Sequence, residues 1–354
     1  MEKPAFLNVV PVIDGRTDFA VSEILRQREE VGLTRFLLRL SFHPQTTPAR
    51  DLIPRLCGQF AAVRDGVAGK GVSLGVLVQS LQGHGWNGKV PLTRETWQRS
   101  VSAAGAETPR MCFLDPGFRA YALDCFRAIV AERPAAILID DDFGLRRMEC
   151  FCPLHVAKAN ETLGTAYSRG EIEEILRTRP WDDPLAAQIV RAVRGTVIDF
   201  ARDIRAAIDE AGPAIRCGLC VSSTGDYMAN DAAHALAGAT EPFLRVHDNM
   251  YGDKPTDIFP IAFLTARRVM FQLDGVPDVL DEADTFPHNY MSESAALFHS
   301  HVSMALLSGM SGCKTWTSED EKPVHTGSQA RYERKLRDYR GFYRWHGTSF
   351  GSAP

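Results

Sequence analysis

The sequence contains no apolar run approaching the roughly 18 residues needed to cross a membrane, no internal repeat and no low-complexity tract. It has no surplus of basic charge either. Forty Lys and Arg against 44 Asp and Glu leave a formal net charge of −4, so no electrostatic stripe is available for sequence-independent nucleic-acid binding. The opening residues, MEKPAFLNVV, lack the basic segment and long apolar stretch of a secretory signal. Proline (20) and glycine (28) are neither scarce nor abundant. With 45% hydrophobic and 24% charged residues, the composition excludes disorder, collagen-like repeats and coiled coil. The expectation is a cytoplasmic, reduced globular protein that binds neither nucleic acid nor membrane. Eight cysteines are the one unusual count. In a chain of this size they are expected to be packed or to bind metal rather than to form a disulfide framework.

What is present is an alternation. Short apolar runs occur at Phe6 to Val12, Arg35 to Phe42, Val72 to Gln79, Ala135 to Asp140, Ile215 to Ser222, Phe243 to Val246, Val276 to Leu280 and Cys313 to Trp316. Segments of helical periodicity separate them, including Val21 to Val31, a helix from near Pro48, Phe118 to Glu132, Pro184 to Ala211, Ile258 to Leu273 and Gln329 to Arg344. Eight strands alternating with helices predict parallel βαβ units, and near-continuous apolar strands fit a sheet buried on both faces. Eight is the number that closes a (β/α)8 TIM barrel. An open doubly wound sheet is the rival, but Asp14-Gly15-Arg16-Thr17-Asp18 after the first strand cannot serve as a dinucleotide fingerprint. The reading is a single α/β barrel over 1–346 with long loops after strands 3 and 4, followed by a flexible tail at 347–354.

On such a barrel the C-terminal ends of the strands carry the chemistry. Strand four ends in Asp140-Asp141-Asp142. Clustered carboxyls repel one another, which favours retention of a proton and suits a general acid. A helix cap with Arg146 or Arg147 as partner is the structural alternative. Strand seven ends in Asp281-Glu282-Ala283-Asp284, followed by Phe286-Pro287-His288-Asn289-Tyr290, which would set a second carboxylate across the barrel mouth. Two opposed carboxylates are the apparatus of glycoside hydrolysis. Around them the same rim would gather Arg39 and His43 from strand two, His84 and Trp86 from the loop after strand three, Arg245, His247, Asp248 and Asn249 near strand six, His288 after strand seven and Trp316 at strand eight. Aromatic rings suit the apolar face of a sugar, and the polar set suits its hydroxyls.

The cysteines divide. Cys150-Phe-Cys152-Pro-Leu-His155 places three soft or borderline ligands within six residues. Tetrahedral zinc needs a fourth, for which Cys112 at the end of the first long loop is the candidate. A site closed by four protein ligands is structural. Cys217-Gly-Leu-Cys220 has the spacing of a redox pair but lies inside a predicted strand, where residues three apart face opposite ways. Cys57, Cys125 and Cys313 are read as core.

The stretch ILIDDDFGLRRMECFCPLHVAKANETLG resembles the corresponding part of glycoside hydrolase family 42 β-galactosidases. In that family strand four ends in Asp-Asn-Glu-Tyr-Gly, followed by Cys-x-Cys-x-x-Cys. An earlier cysteine precedes a Ser-Pro-x-(Phe/Tyr)-Arg segment, and the four cysteines bind zinc. Here Cys112-Phe-Leu-Asp115-Pro116-Gly117-Phe118-Arg119 looks like the earlier piece, and Cys150, Cys152 and His155 look like the later one. Histidine stands where the family has its last cysteine. The resemblance implies that Asp142 takes the place of the acid/base glutamate, Asp141 that of the preceding asparagine, and Glu282 that of the nucleophile, with Asp284 as a competitor. Aspartate at 142 is one methylene shorter than glutamate. The family's later domains, one of which supports trimers, have no counterpart within these 354 residues.

The expectation is therefore a retaining glycoside hydrolase acting on an exposed terminal sugar, β-galactosidase-like, carrying one structural zinc and compatible with a homo-oligomer. Two alternatives stand beside it. One is a metal-dependent hydrolase or isomerase in which the aspartate triplet and His247/Asp248 hold a catalytic ion. The other is a degenerate barrel that binds carbohydrate without cleaving it.

Overall fold

Ten strands and eleven helices follow in chain order in the computed structural model, which describes residues 5–13, 15–44, 47–83, 95–145, 149–180, 182–221, 228–247, 252–255, 263–285, 293–318 and 327–350. The strands are β1 (Ala5–Pro11), β2 (Arg35–Ser41), β3 (Ser73–Gln79), β4 (Arg99–Val101), β5 (Glu107–Met111), β6 (Ala136–Ile139), β7 (Arg216–Val221), β8 (Phe243–Val246), β9 (Asp278–Asp284) and β10 (Gly312–Trp316). Eight of them close into a parallel barrel in the order β1-β10-β9-β8-β7-β6-β3-β2. The expected (β/α)8 barrel is what the chain forms. Its strands read as apolar runs because both faces are buried. Inward-facing Leu7, Val9, Leu37, Leu77, Leu138, Cys220, Phe243, Leu280 and Trp316 fill the barrel. The outward-facing residues pack beneath the helices in a second, larger cluster.

The helices are α1 (Thr17–Arg26), α2 (Ala49–Gly66), α3 (Pro116–Ala131), α4 (Pro153–Leu163), α5 (Arg169–Thr178), α6 (Pro184–Asp209), α7 (Ala229–Ala237), α8 (Leu264–Leu273), α9 (Ala295–Leu307), α10 (Gly327–Asp338) and α11 (Arg340–Phe350). Several start where the local sequence dictates. Asp115 accepts from the Phe118 amide with Pro116 opening α3, Asp183 does the same for Leu185 and Ala186 before Pro184, and Ser168 with Glu171 forms a reciprocal capping box. Among the described residues no helix is long and apolar enough to cross a membrane.

Both long connections carry structure of their own. The one after β3 contains the antiparallel β4–β5 hairpin, and the one after β6 contains α4 and α5. At the other end of the chain, α11 runs to Phe350 and so occupies residues 347–350 of the segment expected to be a flexible tail. The barrel closes where β1 meets β10, with Ala5 opposite Gly312. Gly312 has φ +153°, and a Cβ there would lie 1.9 Å from the Ala5 carbonyl oxygen, so only glycine fits at this seam.

Candidate active site and metal centre

Charged side chains continue β9 where its apolar run stops. The run suggested a strand ending at Leu280, but β9 extends to Asp284, and every residue from Asp278 to Asp284 is buried. In a strand successive side chains alternate faces, so Leu280, Glu282 and Asp284 point into the barrel, and Asp281 points out toward α9. Outside, Asp281 Oδ2 pairs with His301 Nε2 at 2.7 Å. Inside, the neighbouring strands supply the counter-charges. Lys314 of β10 is the register partner of Glu282, and Trp316 that of Asp284. Arg245 of β8 sits opposite Leu280, one step below. Four buried charges are tolerable only because they neutralise one another.

Glu282 is the hub. Its Oε1 accepts from Lys314 Nζ at 2.7 Å, and its Oε2 accepts from Arg245 Nη1 at 2.9 Å and lies 2.9 Å from His247 Nδ1. Burial alone would raise its pKa, but Arg245, Lys314 and His247 outweigh that and hold the carboxyl well below the ordinary range. Glu282 is therefore an anion at neutral pH. Asp284 shares the Lys314 ammonium through Oδ2, yet burial dominates and pushes its pKa well up. Arg245 also reaches Asp140 Oδ1 at 3.3 Å. One guanidinium thus bridges the tip of β6 to Glu282 on β9.

Of the three aspartates after β6, Asp140 reaches the Arg245–Glu282 group. Asp141 is half-buried. Asp142 is buried and turns Oδ2 to the backbone amides of Gln82 (2.9 Å) and Gly83 (3.0 Å) in the loop after β3. Arg110 of β5 secures the same loop by donating to the carbonyls of Asp142 and Gly144, to Gln82 Oε1 at 2.7 Å and to Glu149 Oε2 at 2.9 Å. Gly83 adopts φ +119°, and a Cβ there would lie 2.6 Å from the Pro109 carbonyl oxygen, which is how its amide comes close to Asp142.

The rim residues from β2 and β10 also converge. Trp316 is buried, with the Arg39 guanidinium 5.4 Å and the Lys314 ammonium 5.4 Å from its ring centroid. Its indole N–H has no acceptor among the described residues. His43 lies buried at the end of β2, where burial, reinforced by Arg99, lowers its pKa to about 4, so the ring is neutral. Neither of its nitrogens has a hydrogen-bond partner among the described residues. His84, Trp86, Asp248, Asn249 and His288, together with Arg146 and Arg147, lie outside the described residues.

The four metal-ligand candidates come together. One ligand atom from each of Cys112, Cys150, Cys152 and His155 lies within 4.8 Å of the others, and all four residues are buried. Cys112 Sγ is 3.4 Å from Cys152 Sγ, and His155 Nδ1 is 3.2 Å and 3.4 Å from those two sulfurs. Zinc–sulfur bonds of about 2.3 Å and zinc–nitrogen bonds of about 2.0 Å imply tetrahedral edges of about 3.5–3.8 Å, so the donor set fits a four-coordinate ion. Backbone amides of Val101 and Cys152 point at Cys150 Sγ, and that of Leu114 points at Cys112 Sγ, as thiolate ligands require. Hydrogen bonds from Cys112 and Cys152 hold Cys150 far below the ordinary thiol range. The cluster joins the two long loops, since Cys112 follows β5 while the other three lead into α4. The remaining cysteines are free and buried. Cys217 faces the outer core and Cys220 the barrel interior, so they form no redox pair.

Sequence reasoning passed over Lys314, Arg110 and Thr196. Lys314 had a signal, being a lone charge inside the apolar run Cys313 to Trp316. Arg110 had none, because its role consists entirely of contacts with other segments.

No protein-family pattern and no curated protein matches the sequence. Solved structures do match the fold. A β-galactosidase from the psychrophilic Marinomonas ef1 superposes with a TM-score of 0.68 at 10% identity, covering 99% of this chain and 62% of that one. A glycoside hydrolase family 42 β-galactosidase from G. stearothermophilus gives 0.67 at 12%, covering 100% of this chain and 58% of that one. The catalytic domain of a β-amylase from Paenibacillus polymyxa gives 0.63 at 10%, covering 95% of this chain and 99% of that one. The chain thus spans about three fifths of the length of the two β-galactosidases. At these identities the likeness is one of fold: the chain is a (β/α)8 barrel of the form that those enzymes use.

Proposed function

We propose that this barrel is a glycoside hydrolase, retaining and acting on a terminal sugar, with Glu282 as nucleophile and Asp142 as acid/base. The observation that carries the reading is Glu282. It is an anionic carboxylate at the C-terminal end of barrel strand seven, held on both oxygens, and linked through Arg245 to the aspartate tip of strand four. Retention calls for an ionised nucleophile and a second carboxyl that carries a proton. Oδ2 of Asp142 accepts from two amides, so Oδ1 is the oxygen this reading assigns to proton transfer. Asp284, whose pKa burial pushes well up, is the competing second carboxyl and stands on the same strand as Glu282.

Carbohydrate is the substrate class that best uses the rest of the rim. Trp316 Nε1, both nitrogens of His43, Asp284 Oδ1 and Arg245 Nε are buried without a hydrogen-bond partner among the described residues. Such groups are costly unless a ligand or water satisfies them, and sugar hydroxyls both donate and accept. Among the described residues the set of three or more ligand atoms gathered for a metal is the Cys/His cluster. For the cluster itself we read a structural zinc held by Cys112, Cys150, Cys152 and His155. The ion would tie the two long loops together beneath the rim. Eight unpaired cysteines suit a reducing, cytoplasmic setting.

The test is turnover of a panel of nitrophenyl glycosides by the protein and by Glu282→Gln. The parent is expected to cleave at least one glycoside with retention of anomeric configuration. The variant is expected to lose at least about 10³-fold in kcat, the scale of losing an essential group. Cleavage that survives the substitution would remove Glu282 from the mechanism. Binding of sugars without turnover on any substrate would identify a carbohydrate-binding barrel instead.

A further inference from the structure

The metal cluster contains an imidazole whose orientation depends on a residue outside it. His155 points Nδ1 at the sulfurs of Cys112 and Cys152 (3.2 and 3.4 Å) and Nε2 at Thr196 Oγ1 on α6, 3.1 Å away. The Thr196 hydroxyl has a single proton, and it donates that proton to the Val193 carbonyl oxygen at 2.6 Å, one turn back along the same helix. Toward His155 it can therefore only accept. Its partner nitrogen must then carry the ring's N–H, which leaves Nδ1 with its lone pair directed into the cysteine group. That is the tautomer a metal needs, since a ligating nitrogen offers a lone pair while the other ring nitrogen donates outward to a fixed acceptor. His155 is 0% and Thr196 2% exposed, so solvent does not replace this acceptor if it is lost.

We infer that Thr196 is the positioning residue of the metal site, holding His155 in the Nδ1-ligating tautomer and orientation. The inference rests on the reading of the Cys/His cluster as a zinc site. It explains how a histidine serves where a fourth cysteine would serve without help. A thiolate has no second group to orient, whereas an imidazole presents the right atom only when its far side is held. It also gives α6 a part in the site, bringing a third segment to the two loops that supply the ligands.

The experiment measures zinc affinity of the intact chain by competition against a chromophoric chelator, with cobalt(II) substituted for its visible ligand-field spectrum. Four proteins are compared with the parent: Thr196→Val, Thr196→Ser, His155→Cys and His155→Cys/Thr196→Val. The parent is expected to bind one ion per chain. Thr196→Val, which keeps the shape and removes the acceptor, should lose about 10- to 100-fold in affinity and alter the cobalt spectrum. Thr196→Ser, which keeps the hydroxyl, should stay close to the parent in both. In the His155→Cys background the Thr196→Val change should have no effect on affinity, because the thiolate has nothing for Thr196 to orient. Equal affinity of Thr196→Val and parent would overturn the inference. So would an equal loss in both backgrounds, which would mark Thr196 as a packing residue only. If the parent binds neither zinc nor cobalt, it is the zinc reading that fails.

Discussion

Lys314→Met strikes the charge group of the barrel mouth at a buried cation shared by two carboxylates. The ammonium lies 2.7 Å from Glu282 Oε1 and touches Asp284 Oδ2, and all three side chains are 3% exposed or less. At an effective dielectric of 20, a unit pair at that separation attracts by about 6 kcal/mol, against a desolvation cost of several kcal/mol for each ion. The pair is thus worth little net, but removal of one partner leaves the other's desolvation uncompensated. The expected loss of stability at neutral pH is about 3–5 kcal/mol. Its pH dependence follows from Glu282, whose folded-state pKa lies well below the ordinary 4.5. A depressed carboxyl contributes stability that is present above the unfolded value and lost as pH falls through the folded one. Without Lys314 that depression shrinks, so the variant's deficit should be full at pH 7 and narrow only as pH falls below its raised folded-state value. Urea unfolding at about pH 4, 5.5 and 7 reads it directly. The double variant Lys314→Met/Glu282→Gln should lose less than the two single changes together, with a coupling of about 1 kcal/mol or more. A deficit under about 1 kcal/mol at neutral pH would refute the buried-network reasoning.

Two further outcomes concern the frame around the site. Burial alone would lower the pKa of His301, but Asp281 overrides it and raises the value from 6.5 to about 9. Its roughly 3 kcal/mol of stability should be complete below pH 6.5 and disappear as pH rises through about 9. Glu293 beside it, pushed by burial to about 7, also loses stability with rising pH, but within the window from 4.5 to 7. The fall between pH 7 and 9 therefore isolates His301, and it should vanish in Asp281→Asn; a parent whose unfolding free energy is flat over that window would contradict the assignment. Gly312→Ala should cost about 3 kcal/mol or more, because the new Cβ meets the Ala5 carbonyl at 1.9 Å with φ at +153°. A thermal midpoint unchanged by that substitution would mean the β1–β10 seam can shift to accommodate it.

The barrel was legible because a parallel strand buried on both faces must be apolar, and eight such runs stand out between helices. The site was legible only in part, and β9 shows why. Its polar half, Asp281 to Asp284, reads as a turn in any local window. It is strand because Arg245, Lys314 and His301, on three other elements, neutralise it. Likewise Asp142 was chosen by its place in a motif, whereas Asp140 is the aspartate that meets Arg245. The β4–β5 hairpin and helices α4 and α5 were taken for loop, since they are short and owe their stability to the neighbours they pack on. In the metal centre the ligand types and the Cys150–His155 spacing were visible in the chain, and the fold brings Cys112 beside them.

By itself, then, the sequence determined the alternation that makes a barrel, the chemical kinds of ligand and carboxylate available, and the strand ends where they would emerge. Local periodicity and residue chemistry suffice for those. Only the tertiary structure decided which carboxyl pKa is pushed down and which up, which partners Asp140 and Asp142 meet, and which nitrogen of His155 faces the cysteines. Each of these depends on burial and on a partner that folding brings from a distant segment: Lys314 for Glu282, 32 residues on, and Thr196 for His155, 41 residues on.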